Sequence, residues 1–133
     1  FSTEKPWLPI KPPQAARNAA AQEHHHEAPL NFYRAMLAYR KSRPELRDGD
    51  IAFFDVDAPV LDFMRRDRAG ALVCIFNLST QDIAATARGL RLASSAPSQA
   101  AGLIGERLTL GANGFAFLDC SGAPEDVAVT YTS

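Results

Sequence analysis

The chain has 133 residues, a formal net charge of −1 and a 47% share of hydrophobic residues. That length suits one ordinary domain with a real core. The charge balance argues against a nucleic-acid binder, because neutralising phosphates needs a surplus of Lys and Arg. No apolar run approaches the roughly 20 residues that span a bilayer, and no signal peptide is visible. The start on Phe1 without Met indicates a fragment rather than a processed form, and we expect a cytoplasmic location, with the periplasm as the alternative.

Residues 1–28 are rich in Pro, Ala and Gln. Four prolines fall between residues 6 and 13, which argues against a regular helix and a central strand there, because Pro lacks the backbone N–H. We expect a loop, with a weak helical turn over residues 15–22. Trp7, within this loop, could stack on a sugar ring or fill a gap between domains, and the second role is favoured.

Residues 30–42 carry the strongest helix signal. Pro29 suits the first turn, and Pro44 ends the helix by displacing Arg43 from the α region. The predicted solvent-facing side of this helix consists of Asn31, Arg34, Ala38 and Lys41. The remaining surface is too apolar for a helix packed on one side only, so we predict a partner beyond this chain. The predicted structural interface is Trp7, Leu30, Phe32, Tyr33, Met36 and Leu37.

After residue 48, short apolar runs alternate with turn signals, which predicts strands. Residues 72–76 are almost wholly apolar, as expected for a central strand covered on both faces. Residues 107–110 and 114–119 look like a hairpin, and residues 90–105 look mostly like loop. The other predicted strands span residues 51–56, 60–66, 71–78, 83–87 and, at an edge, 127–131. Strands at this spacing imply an antiparallel β-sandwich.

Several polar residues are candidates for functional sites. The run His24–His26 could bind a transition metal weakly, but it lies in a Pro/Ala-rich loop and we interpret it as solvated. Asp55 and Asp57 are candidates for a carboxylate pair, although Asp57 is more simply a turn residue. Asp62 is expected to point to solvent by strand alternation. The remaining acids, interpreted as solvated loop charges, are Glu45, Asp48, Asp50, Glu125 and Asp126.

No nucleophile constellation is present in the sequence. Ser79 has no nearby His, and neither a Gly-x-Ser-x-Gly elbow nor a phosphate loop occurs. Cys74 and Cys120 are expected to be buried thiols in a reducing compartment, with one disulfide as the alternative. We therefore predict no catalytic, cofactor-binding or metal-binding residue in this chain.

Six segments, read in chain order, resemble motifs of the α-glucosidases of glycoside hydrolase family 13, closest to the oligo-1,6-glucosidase and maltase branch. They are KPWLPI at 5–10 (PWLPV in the family), LNFYRAMLAYRK at 30–41 (LNFYRKLLALRK), PELRDG at 44–49 (PAL..G), VLDFMR at 60–65 (VLAFxR), LVCIFNLS at 72–79 (LLCVFNLS) and LGANGF at 110–115 (LxPYGF). Two features depart from the family. Residues 24–29 replace its xDPxS helix cap, so Ser or Asp capping is absent, and Asp62 stands where a small residue is commoner.

The resemblance implies a layout. In the family, the PWLP loop follows the eighth strand of a β/α barrel, the next helix is the barrel's last, and a Greek-key sandwich follows and packs on the barrel. Residues 1–47 are thus expected to end a catalytic barrel and residues 48–133 to form a C-terminal β-sandwich domain. The family's three catalytic carboxylates lie upstream, so none is carried over.

The expected function is that of a non-catalytic, stabilising C-terminal part of an enzyme that hydrolyses terminal α-linked glucose with retention. The expected partners are the upstream barrel and, for the parent protein, α-glucoside or malto- and isomalto-oligosaccharide substrates, with self-association of the fragment through its helix. No cofactor, nucleic acid or membrane is expected. The alternatives are a stand-alone carbohydrate-binding β-sandwich and the C-terminal part of a non-catalytic relative.

Overall fold

The chain divides into two units, Phe1–Leu37 and Ala38–Ser133. The computed structural model describes residues 4, 7–55, 59–97 and 101–132. The first unit holds helical segments, and the second holds all of the strands. The boundary expected at residue 47 concerns a longer protein and stays a prediction.

The N-terminal segment is more helical than the sequence predicted. A short helix begins at Pro12, because Pro in the first two helical positions removes N–H groups that have no intrahelical partner. The next helix is capped by Asn18, whose side-chain oxygen accepts from the N–H of Ala21 at 2.8 Å. The expectation of loop was therefore wrong for residues 12–14, while the described residues before Pro12 lie in neither helix nor strand. The helices are α1 (Pro12–Ala16), α2 (Ala19–Gln22), α3 (Pro29–Ser42) and α4 (Pro44–Arg47).

The predicted long helix is confirmed as α3, and its start is capped in an unusual way. The side-chain oxygen of Gln22 accepts from the N–H of Leu30 at 3.1 Å. Asn31 Nδ2 donates to the carbonyls of Gln22, Glu23 and His25 at 2.8–3.1 Å. A Gln eight residues upstream thus replaces the absent Ser or Asp cap.

A five-stranded antiparallel sheet forms one layer of the second unit. Its order is β1-β2-β3-β8-β5, so the apolar β3 is central, as predicted. The bounds are β1 (Asp50–Phe53), β2 (Val60–Arg66), β3 (Ala71–Asn77), β5 (Leu90–Leu92) and β8 (Phe115–Cys120). The predicted strand at 51–56 ends at Phe53, and residues 56–58 lie outside the described part.

A four-stranded antiparallel sheet forms the other layer, in the order β6-β7-β4-β9. The predicted edge strand near the C-terminus is confirmed as β9, and a 3₁₀ turn at Pro124–Asp126 precedes it. The bounds are β4 (Ile83–Arg88), β6 (Ala101–Ile104), β7 (Arg107–Leu110) and β9 (Ala128–Thr132). The chain crosses between the layers after β3, β4, β5, β7 and β8, which confirms the predicted antiparallel Greek-key sandwich.

Two strand predictions were wrong. β7 and β8 are not a hairpin, because β7 pairs with β4 and β6 while β8 pairs with β3 and β5. The buried Asn77 directs this crossing, since its Nδ2 donates to the carbonyls of Gln81 and Gly111 at 2.7 and 3.0 Å.

Residues 90–105, expected to be mostly loop, contain β5 and β6. These strands have three and four residues, too few for an alternation pattern to be read.

The core lies between the two sheets, where alternate residues of every long strand point inward. Val73 and Ile75 of β3 meet Leu108 and Leu110 of β7, and all four are fully buried. Further buried members are Ala85, Ala87, Leu90, Ala116 and Leu118.

Gly49, between α4 and β1, provides a test of this fold. A Cβ at Gly49 would lie 2.5 Å from the carbonyl oxygen of Glu45 and 2.7 Å from that of Arg66, both main-chain atoms that cannot swing away. We expect Gly49→Ala to lower the free energy of unfolding by about 1–3 kcal/mol, by overpacking. The matched control is Gly70→Ala, because no heavy atom lies within 4 Å of its built Cβ, and we expect a change below about 0.5 kcal/mol. Urea titration of both variants measures the difference, and equal stability would contradict the close approach.

Candidate functional site

The outer face of the five-stranded sheet carries a continuous series of aromatic rings, here called the aromatic row. Strand alternation puts these rings on the face opposite the core. Successive centroids lie 5.3–6.2 Å apart, within the range of favourable ring contacts. In order across the sheet the row consists of Phe53, Phe63, Phe76, Phe115, Phe117 and Tyr39.

One end of the aromatic row is open to solvent. Phe53, on edge strand β1, is 64% exposed, and Ile51 and Leu61 on the same face are also exposed. We call these three residues the open end. Neighbouring exposed apolar side chains of this kind make the open end a candidate for contact with another surface.

The other end of the row is covered by the last turn of α3. The ring of Tyr39 packs on Phe117 at 5.3 Å, and Tyr39 is the one buried residue of that helix. Burial raises the pKa of Tyr39 to about 12. Its hydroxyl is buried and finds no hydrogen-bond partner among the described residues. Tyr39 therefore contributes mainly as an apolar ring in this arrangement.

An ionic cluster beside Tyr39 holds the end of α3 and α4 against the sheet. Arg43 Nε donates to Glu45 Oε1 at 2.6 Å, and Arg43 Nη2 donates to Asp119 Oδ1 on β8 at 2.5 Å. The guanidinium carbon lies 5.7 Å from the centre of the Tyr39 ring, in cation–π range. From β2, Arg65 Nε donates to the Glu45 carbonyl at 3.1 Å. We call Arg43, Glu45 and Asp119 the Arg43 cluster.

Arg43 stays ionised although it is largely buried. Burial by itself disfavours the charge, but the hydrogen bonds to Asp119 and Glu45 raise the pKa of Arg43 above its ordinary value. Glu45 is only 4% exposed, so its interpretation as a solvated loop charge was wrong. Pro44 begins α4 directly after Arg43, and this short helix contacts β2 and β3, which brings the Glu45 side chain under the helix end.

The residues predicted as an interface are mostly solvent-exposed in the N-terminal unit. Trp7 is 91% exposed, and Phe32, Tyr33 and Leu37 of α3 are exposed as well. Leu30 and Met36 are partly buried. Their contact with a partner stays a prediction.

Most of the polar residues interpreted as solvated are exposed in the structure. His24–His26 are exposed, and the described residues contain no group of three or more His, Cys, Asp or Glu placed to hold a metal ion. The exposed acids are Asp48, Asp50, Asp55, Glu125 and Asp126. Asp57 lies outside the described residues.

Asp62 contradicts its prediction. It is 2% exposed and faces the core, where Tyr131 of β9 donates to its Oδ2 at 2.7 Å. Both faces of β2 are apolar, since Leu61 and Phe63 lie on the outer face and Met64 lies on the inner face with Asp62. Alternation alone therefore assigned the acid to the wrong side.

The two cysteines are free thiols, so the alternative of a disulfide is wrong. Cys74 is buried in β3, and burial raises its pKa to about 12. Cys120 is partly buried, and burial raises its pKa too. Ser79 donates to Asn77 Oδ1 at 2.8 Å, as part of the loop-bracing contacts of Asn77. None of these groups is an activated nucleophile.

Sequence reasoning missed both the aromatic row and the Arg43 cluster. The alternating pair Phe115 and Phe117 was a signal for the row, because a strand whose two faces are both apolar needs two covers. Nothing in the sequence linked Arg43 to Asp119, which lies 76 positions later.

Comparison with known proteins gives the family. No family model matches the chain. The chain is 36% identical over 108 residues to a probable alpha-glucosidase of Rhizobium meliloti, covering 81% of this chain and 19% of that protein. The chain is related to the C-terminal region of the family 13 α-glucosidases. The motif-based recognition is thereby confirmed, and the α-glucosidase-like chain spans about a fifth of the length of its curated relative.

Solved structures agree with this relationship. The chain matches the α-glucosyl transfer enzyme XgtA with a TM-score of 0.79 and 30% identity, over 87% of this chain and 22% of that one. It matches the trehalulose synthase MutB of Pseudomonas mesoacidophila with a TM-score of 0.70 and 25% identity, over 90% of this chain and 23% of that one. In each case a small part of a much longer chain is matched.

Two shallow grooves lie on the outer side of the four-stranded sheet of this α-glucosidase-like chain. Small and polar residues such as Ala84, Gly102, Arg107 and Thr109 line them, and their described linings include no aromatic ring for a sugar to stack on. In the described part of the chain, no helix has the length and apolar character needed to cross a bilayer.

The Arg43 cluster gives a second prediction. Arg43→Met keeps the apolar stem but leaves the buried Glu45 carboxylate without its guanidinium, so we expect a loss of about 3–5 kcal/mol in the free energy of unfolding. The control is Arg47→Met, whose partner Asp48 is 3.5 Å away and exposed, and the expected loss is about 0–1 kcal/mol. Chemical denaturation of both variants gives the comparison. A similar loss in the two variants would mean that the cluster does not hold the helix end.

Proposed function

We propose that this chain is the non-catalytic C-terminal part of an α-glucosidase that hydrolyses terminal α-linked glucose with retention, and that its role there is structural. The similarity to a probable alpha-glucosidase over 19% of that protein supports this assignment. So does the sandwich fold, matched over 22% of an α-glucosyl transfer enzyme.

The open end of the aromatic row carries the proposal. Phe53, Ile51 and Leu61 expose apolar surface on a sheet whose other face already holds the core. Covering such surface contributes about 25 cal/mol for each Å² removed from water. The proposed cover is the upstream part of the same polypeptide, since about four fifths of the curated relative has no counterpart in this chain.

The exposed side chains of the first unit support a second contact with that upstream part. Trp7, Phe32, Tyr33 and Leu37 expose large apolar groups, and in this proposal residues 1–47 form the end of the upstream barrel. The substrates of the parent are then α-glucosides such as malto- or isomalto-oligosaccharides. The free thiols Cys74 and Cys120 support a cytoplasmic location, where disulfides rarely persist.

Activity measurements test the assignment directly. The purified 133-residue chain is expected to show no hydrolysis of a chromogenic α-glucoside, because its sequence carries none of the motifs of the family's catalytic carboxylates, which glycoside hydrolysis requires. The same chain expressed with its upstream coding region is expected to turn the substrate over. Clear turnover by the chain alone would overturn the structural role, and an upstream region without a barrel would overturn the parent assignment.

The isolated chain is also expected to self-associate. Its exposed α3 surface should hold dimers or larger oligomers, because uncovered apolar patches associate in water. The double substitution Phe32→Ser with Leu37→Ser should shift the light-scattering mass toward the monomer. Phe53→Ser tests the open end in the same assay.

Ile104→Ser is the matched control for these variants. Ile104 is 85% exposed but lies on the four-stranded sheet, away from the aromatic row. It should leave the mass unchanged. A wild-type chain that stays monomeric at high concentration would contradict the prediction.

A further inference from the structure

A carboxyl group and a phenol join the two sheets inside the sandwich. Asp62 belongs to β2 in the five-stranded sheet, and Tyr131 belongs to β9 in the four-stranded sheet. The Tyr131 hydroxyl donates to Asp62 Oδ2 at 2.7 Å. This contact concerns the sandwich itself and does not depend on the proposed function.

Apart from Tyr131, the Asp62 carboxyl group has mainly apolar neighbours. Its neighbour on β3 is Ile75, and Met64 lies on the same face of β2. The second carboxyl oxygen, Oδ1, is buried and has no hydrogen-bond partner among the described residues. A carboxylate normally accepts several hydrogen bonds. Leaving one of its oxygens bare in an apolar core is therefore costly for the ionised form.

On the described strands, no charged side chain faces Asp62 across the core. On the core-facing sides of β1 and β2, the charged residues are Asp50 and Arg66, paired with each other in register at the far, exposed end. The core-facing residues of β3 and β4 carry no charge. The titratable groups that remain on core-facing positions are Cys120 on β8 and Tyr131 itself.

The direction of the titration agrees with this geometry. Burial raises the pKa of Asp62, and the hydrogen bonds from Tyr131 and from the backbone lower it by less. The pKa of Tyr131 is raised by burial and by Asp62, so the phenol stays neutral while the carboxyl titrates. One group, Asp62, therefore carries the pH dependence of the contact.

We propose that the buried Asp62 carboxyl, bonded to Tyr131, is a pH-sensitive latch between the two sheets: the neutral acid is compatible with the apolar core, and ionisation destabilises the packing of the sheets around it because the hydrogen bond from Tyr131 only partly offsets the buried charge. Because the folded-state pKa lies above the ordinary Asp value of about 3.9, the stabilisation is fully present below that value. It is lost as the pH rises through the folded-state pKa.

Three variants of the 133-residue chain test the latch by thermal unfolding between pH 4 and pH 8. Asp62→Asn keeps the shape and an acceptor for Tyr131 but cannot ionise. The melting temperature of this variant minus that of the wild type should increase by about 4 °C or more as the pH rises. Tyr131→Phe removes the donor that favours the ionised carboxyl, so its melting temperature should fall more steeply with pH than that of the wild type. In the double variant, the dependence of the melting temperature on pH that Asp62 causes in the wild type should be absent.

A wild-type measurement makes the test independent of how the variants fold. The Asp62 carboxyl carbon, followed by ¹³C NMR and assigned by its absence in Asp62→Asn, should titrate above the ordinary Asp value. The latch is overturned by a titration at or below about 3.9. It is equally overturned if Asp62→Asn keeps the wild-type pH slope or if Tyr131→Phe makes that slope shallower.

Discussion

The structure depends on one constraint: the five-stranded sheet is apolar on both of its faces. Its inner face meets the four-stranded sheet and forms the core around Val73, Ile75 and Leu118. Its outer face carries the aromatic row, which the sandwich itself cannot cover because the second sheet lies on the other side. A sheet of this kind needs a second layer, as parallel sheets covered by helices do. The curated α-glucosidase relative is about five times longer than the matched part, so it contains further chain of the kind that could form such a layer.

Part of the second layer is present in the chain. Tyr39 covers Phe117, and the Arg43 cluster fixes the end of α3 by an ion pair to Asp119 on the sheet. A mostly buried guanidinium that bonds two carboxylates has little freedom to reorient, because each lost hydrogen bond would leave a bare charge. The covered end of the row is therefore held firmly. The open end around Phe53 stays exposed to solvent.

Several features were accessible from the sequence because they rest on local rules. Proline at positions 29 and 44 defined α3, and the apolar run of β3 marked it as central. Others were not accessible. The position of Asp62 depends on which of two apolar faces of β2 meets the other sheet, and alternation cannot distinguish them. The partnership of Arg43 with Asp119, and the crossing that separates β7 from β8, join residues far apart in the chain.

By itself, then, the sequence determined the antiparallel sandwich, the long helix and the kinship with α-glucosidases, since periodicity, proline positions and motif order are all encoded locally. Only the tertiary structure decided where the polar groups lie. It buried Glu45 beside Arg43 and placed Asp62 against Tyr131, because burial and pairing are properties of strands brought together across the fold. A residue's neighbours in space, which fix the state of its charge, are not its neighbours in the chain.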